Sequence, residues 1–250
     1  MNSNNIKIRE CLSFEELDAC VNLQREVFAL PELEISPVRH LIVTKSAGGF
    51  TLGAFAEEKL VGFVLSVPGF LGEEKILYSH MTAVRQDLQN LHIGAQLKWA
   101  QRARALETGV KFIKWTFQPV QARNAFFNLE RLGAVIKTYA PNFYGTDYST
   151  SSEQGAKIGL DSDRLYAEWH LESEKVKSLA NGENFEETGE VLLELEIPND
   201  WNVLLKESPE KAVVEQSRIK KEFQMAFAEN LICRSFKRDD QSPKFLLYKK

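Results

Sequence analysis

At 250 residues and 44% apolar content the chain can form one large domain, or one and a half, with an ample core; a formal charge of −4 and the lack of any Lys/Arg run argue against nucleic acid as principal partner, because phosphate binding needs clustered cations. Three cysteines (Cys11, Cys20, Cys233) without a Cys-x-x-Cys pair fit a reducing cytoplasm better than a disulfide framework, and four scattered histidines (His40, His80, His92, His170) have no metal-ligand spacing, so no metal is expected. Met1 to Arg9 has no long apolar run, so neither a secretory signal nor a membrane span is expected.

Ile6 and Ile8 alternate with Lys7 and Arg9, which predicts a short half-buried strand. Ser13-Phe14-Glu15-Glu16 reads as a capping box that opens a helix, with Leu17, Val21 (or Cys20), Gln24 and Phe28 at helical spacing and Pro31 ending it. Ser36-Pro37 is a second start signal, with serine at the cap and proline at the first helical position, and Gly48-Gly49 is the stop. Glu26, Arg39 and His40 lie in these two helices, where their plain reading is solvated helix faces. Phe50 to Ala56 and Leu60 to Val67 read as an antiparallel hairpin about Glu57-Glu58-Lys59, a turn without the usual glycine, and Pro68-Gly69-Phe70-Leu71-Gly72 breaks the second strand.

An apolar strand from Ile76 to Val84 follows, then a polar turn and a helix with Ile93, Leu97, Ala100 and Ala103 on one face, closed by Gly109. Phe112 to Phe117 is apolar enough to be covered on both faces, and Ala122 to Leu132 is a helix with Phe126, Leu129 and Leu132 inward and Gly133 at the terminal left-handed position. Ala134 to Tyr144 is extended with a bend at Pro141-Asn142, and Gly145 to Asp163 is polar and reads as a long loop. Arg164 to Leu171 alternates like a strand, and Ser173 to Gly189 has linker composition. A strand (Val191 to Ile197), a helix opened by Ser208-Pro209 with Ile219, Phe223 and Phe227 inward, and two strands (Leu231 to Phe236, Phe245 to Tyr248) close the chain. The expected organisation is a main domain at 1–172, a linker at 173–189 and a βαββ extension at 190–250 that either extends the main sheet or makes a half-repeat packed on the first unit.

The chemistry gathers where the central strand meets its helix. The first amides of a helix lack internal partners and carry the positive end of the dipole, so a strand, a tight turn and a helix N-terminus make an anion site. Here the turn reads Gln89-Asn90-Leu91-His92-Ile93-Gly94-Ala95. Placed after Thr82-Ala83-Val84, it resembles the acyl-CoA pyrophosphate loop of the GNAT N-acetyltransferase superfamily, Gln/Arg-x-x-Gly-x-Gly/Ala: Gln89 and Gly94 match, and His92 stands where the family has its first glycine. Ser79-His80-Met81, Trp115-Thr116-Phe117-Gln118-Pro119, Ala122 to Leu129, Pro141 to Gly145, Asp163-Arg164-Leu165 and Glu168-Trp169 extend the likeness, to a subfamily of predicted GNAT acyltransferases with a C-terminal extension, over nearly the whole chain.

The resemblance implies an α/β (α+β) fold, a mixed twisted sheet flanked by helices with a C-terminal βαββ extension, and acetyl-CoA or another acyl-CoA as cofactor. It implies that two neighbouring parallel strands splay apart, that backbone near Ala83 and Val84 meets the pantetheine arm, and that amides across Gln89 to Ala95 hold the pyrophosphate, with Asn124 near a cofactor-contacting asparagine of the family. Some members place a glutamate base at the position of Tyr78; here His80, with an ordinary pKa of about 6.5, suits proton transfer from the acceptor amine, directly or through water, against the alternative of a core histidine bonded to a carbonyl. The usual thiolate-protonating tyrosine is replaced by Leu129, which leaves Tyr144 and Tyr139 as candidates. Arg123 or Arg164 suits the anion of an amino-acid acceptor; Asn142, Arg164 and Glu168 suit a polar one, unless Arg164 and Glu168 pair with each other. The reading is direct acyl transfer to the amine of a small molecule by a cytoplasmic monomer or homodimer with no nucleic-acid or membrane partner. The rival is a non-catalytic module binding acyl-CoA or a protein partner.

Overall fold

The structure, a computed structural model, describes residues 6–28, 30–151 and 157–250. The chain forms two compact units, Met1–Lys114 with His170–Glu172, and Trp115–Trp169 with Ser173–Lys250, a division that falls inside a strand rather than in the 173–189 segment.

The first unit contains β1 (Ile6–Glu10), α1 (Phe14–Phe28), α2 (Val38–Ser46), β2 (Phe50–Ala56), β3 (Lys59–Leu71), β4 (Glu74–Val84), α3 (Ile93–Glu107) and the start of β5 (Phe112–Phe117). The strands lie in the order β1-β2-β3-β4-β5, antiparallel except for the parallel pairing of β4 with β5. Leu17, Cys20 and Leu23 of α1 and Leu41 of α2 pack on Phe55, Phe63, Leu65 and Ala83 to form the core of one face. On the other face α3 comes close because Gly62 has no side chain: a Cβ there would stand 3.2 Å from Leu97 Cδ1.

Local signals account for several boundaries. The capping box at the start of α1 forms, with Ser13 Oγ accepting from Glu16 N at 3.2 Å and Glu16 Oε2 accepting from Ser13 N at 3.3 Å and Leu12 N at 2.8 Å. At the start of α2 the cap is Pro37, not Ser36, and the helix begins one residue later than expected, since Ser36 N and O are bonded to the Gln24 side chain. The β2–β3 turn works without glycine by placing Glu57 and Glu58 at φ 48° and 64°. Pro68 does not break β3. Pairing with β2 ends at Ser66, so Pro68 lies where the strand has only β4 as neighbour and a missing N–H is tolerated. The buried face of α3 is Ile93, Leu97, Lys98, Gln101 and Ala105, with the expected Ala103 exposed.

In the second unit the strand order is β9 (Arg164–His170), β6 (Val135–Ala140), β11 (Leu231–Lys237), β12 (Lys244–Lys249), β10 (Leu193–Glu196). The helix α7 (Pro209–Ala228) lays Phe223 against Tyr139 and Phe245, with ring centroids 5.9 and 5.1 Å away. After α4 (Ala122–Phe126) the chain widens into a π-helical turn, Phe127–Arg131, which buries Asn128 and Leu129, and Asn128 Oδ1 accepts from Trp115 Nε1 at 3.2 Å. Where a long loop was expected, β7 (Thr146–Ser151) and β8 (Lys157–Asp161) form a hairpin, the polar threonines and Ile158 supplying strand propensity; residues 152–156 of that reading lie outside the described residues. The segment of linker composition opens with α5 (Glu174–Ala180), capped by Ser173 Oγ and burying Lys175 and Val176. A further short helix, α6 (Trp201–Glu207), is capped by Asp200. Charge-rich composition hid α5, because one or two buried side chains suffice to dock so short a helix.

Candidate active site

The parallel ladder between β4 and β5 comprises Leu77 with Ile113 and Tyr78 with Lys114. From Ser79 to Val84 the register of β4 runs with β3 alone, so its other edge presents backbone groups from Ser79 onward. At that same point β4 bulges: Ser66 pairs with Ser79 but Leu65 pairs with Met81, which leaves His80 as the extra residue. The bulge corrects the simple alternation expected along this strand. Tyr78 and His80 share a face as anticipated, but Met81 joins them and packs with Ala83 on the core beneath α1, while Ser79 lies on the α3 side against Lys98.

His80 is half-buried. Its Nε2 lies 3.5 Å from Ser36 Oγ, its ring meets His40 edge to face at 5.8 Å, and Tyr78 is 6.5 Å away. Burial, with a smaller contribution from His40, pushes the His80 pKa below its ordinary value. The imidazole is therefore neutral at pH 7, with a lone pair able to take a proton.

After Val84 a short 3-10 turn (Gln86–Leu88) leads to Gln89, whose Nε2 donates to Val84 O at 3.1 Å. Asn90 takes φ 71° and His92 φ 61°, ψ 9°, so the histidine adopts the left-handed conformation for which a glycine was expected, with its side chain exposed. No side chain caps α3, and at Gly94 the nearest atom to a Cβ would be Val84 Cγ2 at 3.9 Å. Leu91, Gly94 and Ala95 are half-buried and Ile93 is buried. The uncapped first turn can hold an anion on main-chain nitrogens.

Tyr78, His80, Ala83, Val84 and the Gln89–Ala95 turn are thus brought together in the first unit, whereas Arg123, Asn124, Asn142, Tyr144, Arg164 and Glu168 lie in the second. Within the second unit Arg164 lies over the Tyr144 ring at 5.2 Å. Asn142, at φ 46°, donates to Thr146 Oγ1 and accepts from Ser162 N, holding its turn. Glu168 pairs with Lys137 at 2.9 Å, and Arg123 and Asn124 are exposed on α4. Tyr139 donates to the buried carboxylate of Asp163, and burial, with that carboxylate's charge, drives its pKa upward, which disfavours proton loss from this phenol.

Sequence reasoning missed the polar cluster beneath the bulge. Lys98 Nζ donates to Ser79 Oγ at 3.0 Å and to Gln101 Oε1 at 2.7 Å, and Gln101 Nε2 donates to Ser66 Oγ at 2.8 Å. The i, i+4 series Ile93, Leu97, Gln101, Ala105 was the available signal for Gln101; nothing local marked Lys98.

Among solved structures, a protein from Desulfovibrio desulfuricans described as belonging to the GNAT acetyltransferase family aligns over 66% of this chain and 99% of its own, with 14% identity and a TM-score of 0.52. The chain has the GNAT fold. An N-acetyltransferase from Staphylococcus aureus Mu50 gives 13% identity over 67% of this chain and 99% of its own with a TM-score of 0.51. Arabidopsis thaliana Naa50, in complex with the bisubstrate analogue CoA-Ac-MVNAL, gives 13% over 66% and 97% with a TM-score of 0.50. No protein-family model matches the chain, and no curated protein does. Within the GNAT fold seen here, the strand that opens after Tyr78 and the uncapped helix α3 fall in the first unit. Among the described residues no helix is long and apolar enough to cross a membrane, and no group of three or more His, Cys, Asp or Glu is placed to hold a metal ion.

Proposed function

We propose that this GNAT-fold protein is an acyl-CoA-dependent N-acyltransferase that uses acetyl-CoA and passes the acyl group directly to the amine of a small molecule. The observation that carries the reading is the coincidence of three features in β4 and its turn: the β5 ladder ending at Tyr78, the bulged His80 next to it, and the uncapped start of α3. The residues present fit a thioester-bearing nucleotide, since a Cβ at Gly94 would meet nothing nearer than Val84 Cγ2 at 3.9 Å, the His92 ring is exposed and the left-handed backbone of the loop is kept. The Arabidopsis neighbour was crystallised with a CoA-containing bisubstrate analogue.

The bound donor would supply an activated acyl group as a thioester. The chain's part is to hold the phosphates on the amides of the Gln89–Ala95 turn, to offer the free backbone of β4 to the arm, and to accept the acceptor's proton at His80. During transfer His80 would take one proton of the acceptor ammonium, freeing the neutral amine to attack the thioester; as the C–N bond replaced the C–S bond, the second proton shed by the nitrogen would pass to the departing thiolate. All three cysteines are buried, and burial raises the Cys233 thiol, which favours direct transfer over a thiol intermediate.

Leu129 at the family's usual acid position and the strained His92 favour a second reading, a GNAT-fold module that binds acyl-CoA without turnover. Calorimetric titration with acetyl-CoA and CoA, followed by turnover on an amine panel with wild type and His80→Ala, separates the two. The enzyme reading expects binding, turnover and a loss of about a hundredfold or more in kcat for the variant. Absence of binding overturns both, and binding without turnover leaves the module.

A further inference from the structure

We infer that Lys98 is a positioning residue for the proposed base: acting with Gln101, it ties the two serines that flank the bulge to α3 and so fixes the direction in which His80 points. The inference rests on the reading of His80 as base. Ser66 and Ser79 are register partners on β3 and β4, and the register slips at the very next residue of each strand. Both hydroxyls are buried and both are taken by α3, Ser79 by Lys98 Nζ and Ser66 by Gln101 Nε2, while Lys98 and Gln101 are joined to each other at 2.7 Å. Four residues from three elements thus close one network immediately behind the bulged residue.

A bulge leaves one residue out of the ladder, so ladder bonds do not hold it. Its geometry has to come from what packs on either side. On the α1–α2 side His80 has Ser36, His40 and Tyr78; on the α3 side its neighbour Ser79 has Lys98. A lysine is an expensive choice for a fully buried position, where an apolar residue of the same length would pack without desolvating an amine. Its donor bonds to Ser79 and Gln101 are what methionine cannot supply.

The test reads His80 in the free protein, without substrate. Lys98→Met keeps chain length and removes the donors; Ser79→Ala removes only the hydroxyl that Lys98 holds. Both are compared with wild type by circular dichroism and by NMR titration of the His80 ring, and the acid limb of kcat against pH is recorded for each. With the bulge loosened, water reaches the imidazole, and its pKa rises toward the ordinary histidine value in folded Lys98→Met, and in the same direction in Ser79→Ala, with the acid limb following. Folded variants whose His80 titrates as in wild type overturn the inference, and Ser79→Ala decides alone if Lys98→Met does not fold. His80→Ala separates the two claims: full activity there removes the base reading, yet the Lys98 variants still report whether the network positions the ring.

Discussion

Gln89 Nε2 donates to the carbonyl oxygen of Val84 across 3.1 Å, so the residue that opens the loop before α3 is bonded to the last residue of β4. This contact holds the turn in the shape that leaves the first amides of α3 facing outward. Gln89→Ala removes a hydrogen bond worth about 1 kcal/mol, and acetyl-CoA affinity is expected to fall roughly fivefold by calorimetry, with kcat nearly unchanged.

His92 holds φ 61°, a conformation that histidine tolerates and a β-branched residue does not. His92→Val is expected to lower unfolding free energy by about 1–2 kcal/mol in urea. His92→Gly relieves the strain but adds freedom to the unfolded chain, so its net change should be within about 1 kcal/mol of zero. A valine variant as stable as wild type would show that the left-handed turn is not required.

Burial lowers the His80 pKa, so the folded state binds this proton less well than the unfolded chain does. The sign follows: the contribution to stability is present above the unfolded value of about 6.5 and is lost as pH falls through the folded value below it. The urea midpoint of wild type should drop more steeply than that of His80→Gln below about pH 6.5. Under the proposed mechanism kcat should hold down to a pH below 6.5 and decline only as His80 becomes protonated. An acid limb above 6.5 would falsify the assignment of that limb to His80.

Glu16 serves two partners at the start of α1, accepting from Leu12 N and Ser13 N while Arg9 pairs with it at 2.6 Å. Ser13→Ala should cost about 1 kcal/mol, and Glu16→Ala more than Glu16→Gln, because glutamine can still accept the backbone bonds. A double-mutant cycle of Arg9→Met and Glu16→Gln isolates the ion pair, whose coupling is expected to be smaller than the loss in Ser13→Ala because solvent screens this partly exposed site.

Much of the fold was legible because its signals are contiguous. Ser13 to Glu16 cap a helix by bonds three residues apart; Gly48 and Gly133 end helices through their own φ of 93° and 73°; the strand ending at Val84, its turn and α3 follow one another directly. The likeness to the GNAT acyltransferases also lay in such local stretches. Errors fell where the answer depended on a distant neighbour. Pro68 was read as a breaker because the sequence does not say where β2 stops, and the hairpin of β7 and β8 was read as a loop because its polar strands lack an apolar face.

The amino-acid order by itself determined the strand-turn-helix unit, the glycine and proline punctuation and the placing of a titratable histidine on the central strand, since each depends on residues within a few positions of one another. Tertiary structure alone decided that β5 leaves β4 after Tyr78, that the register slips at His80, and that Lys98 is buried against Ser79. Those outcomes turn on pairings between residues far apart in the chain, such as Leu65 with Met81 and Tyr78 with Lys114, and a one-residue change in such a pairing alters which side chains face the site while leaving every local signal untouched.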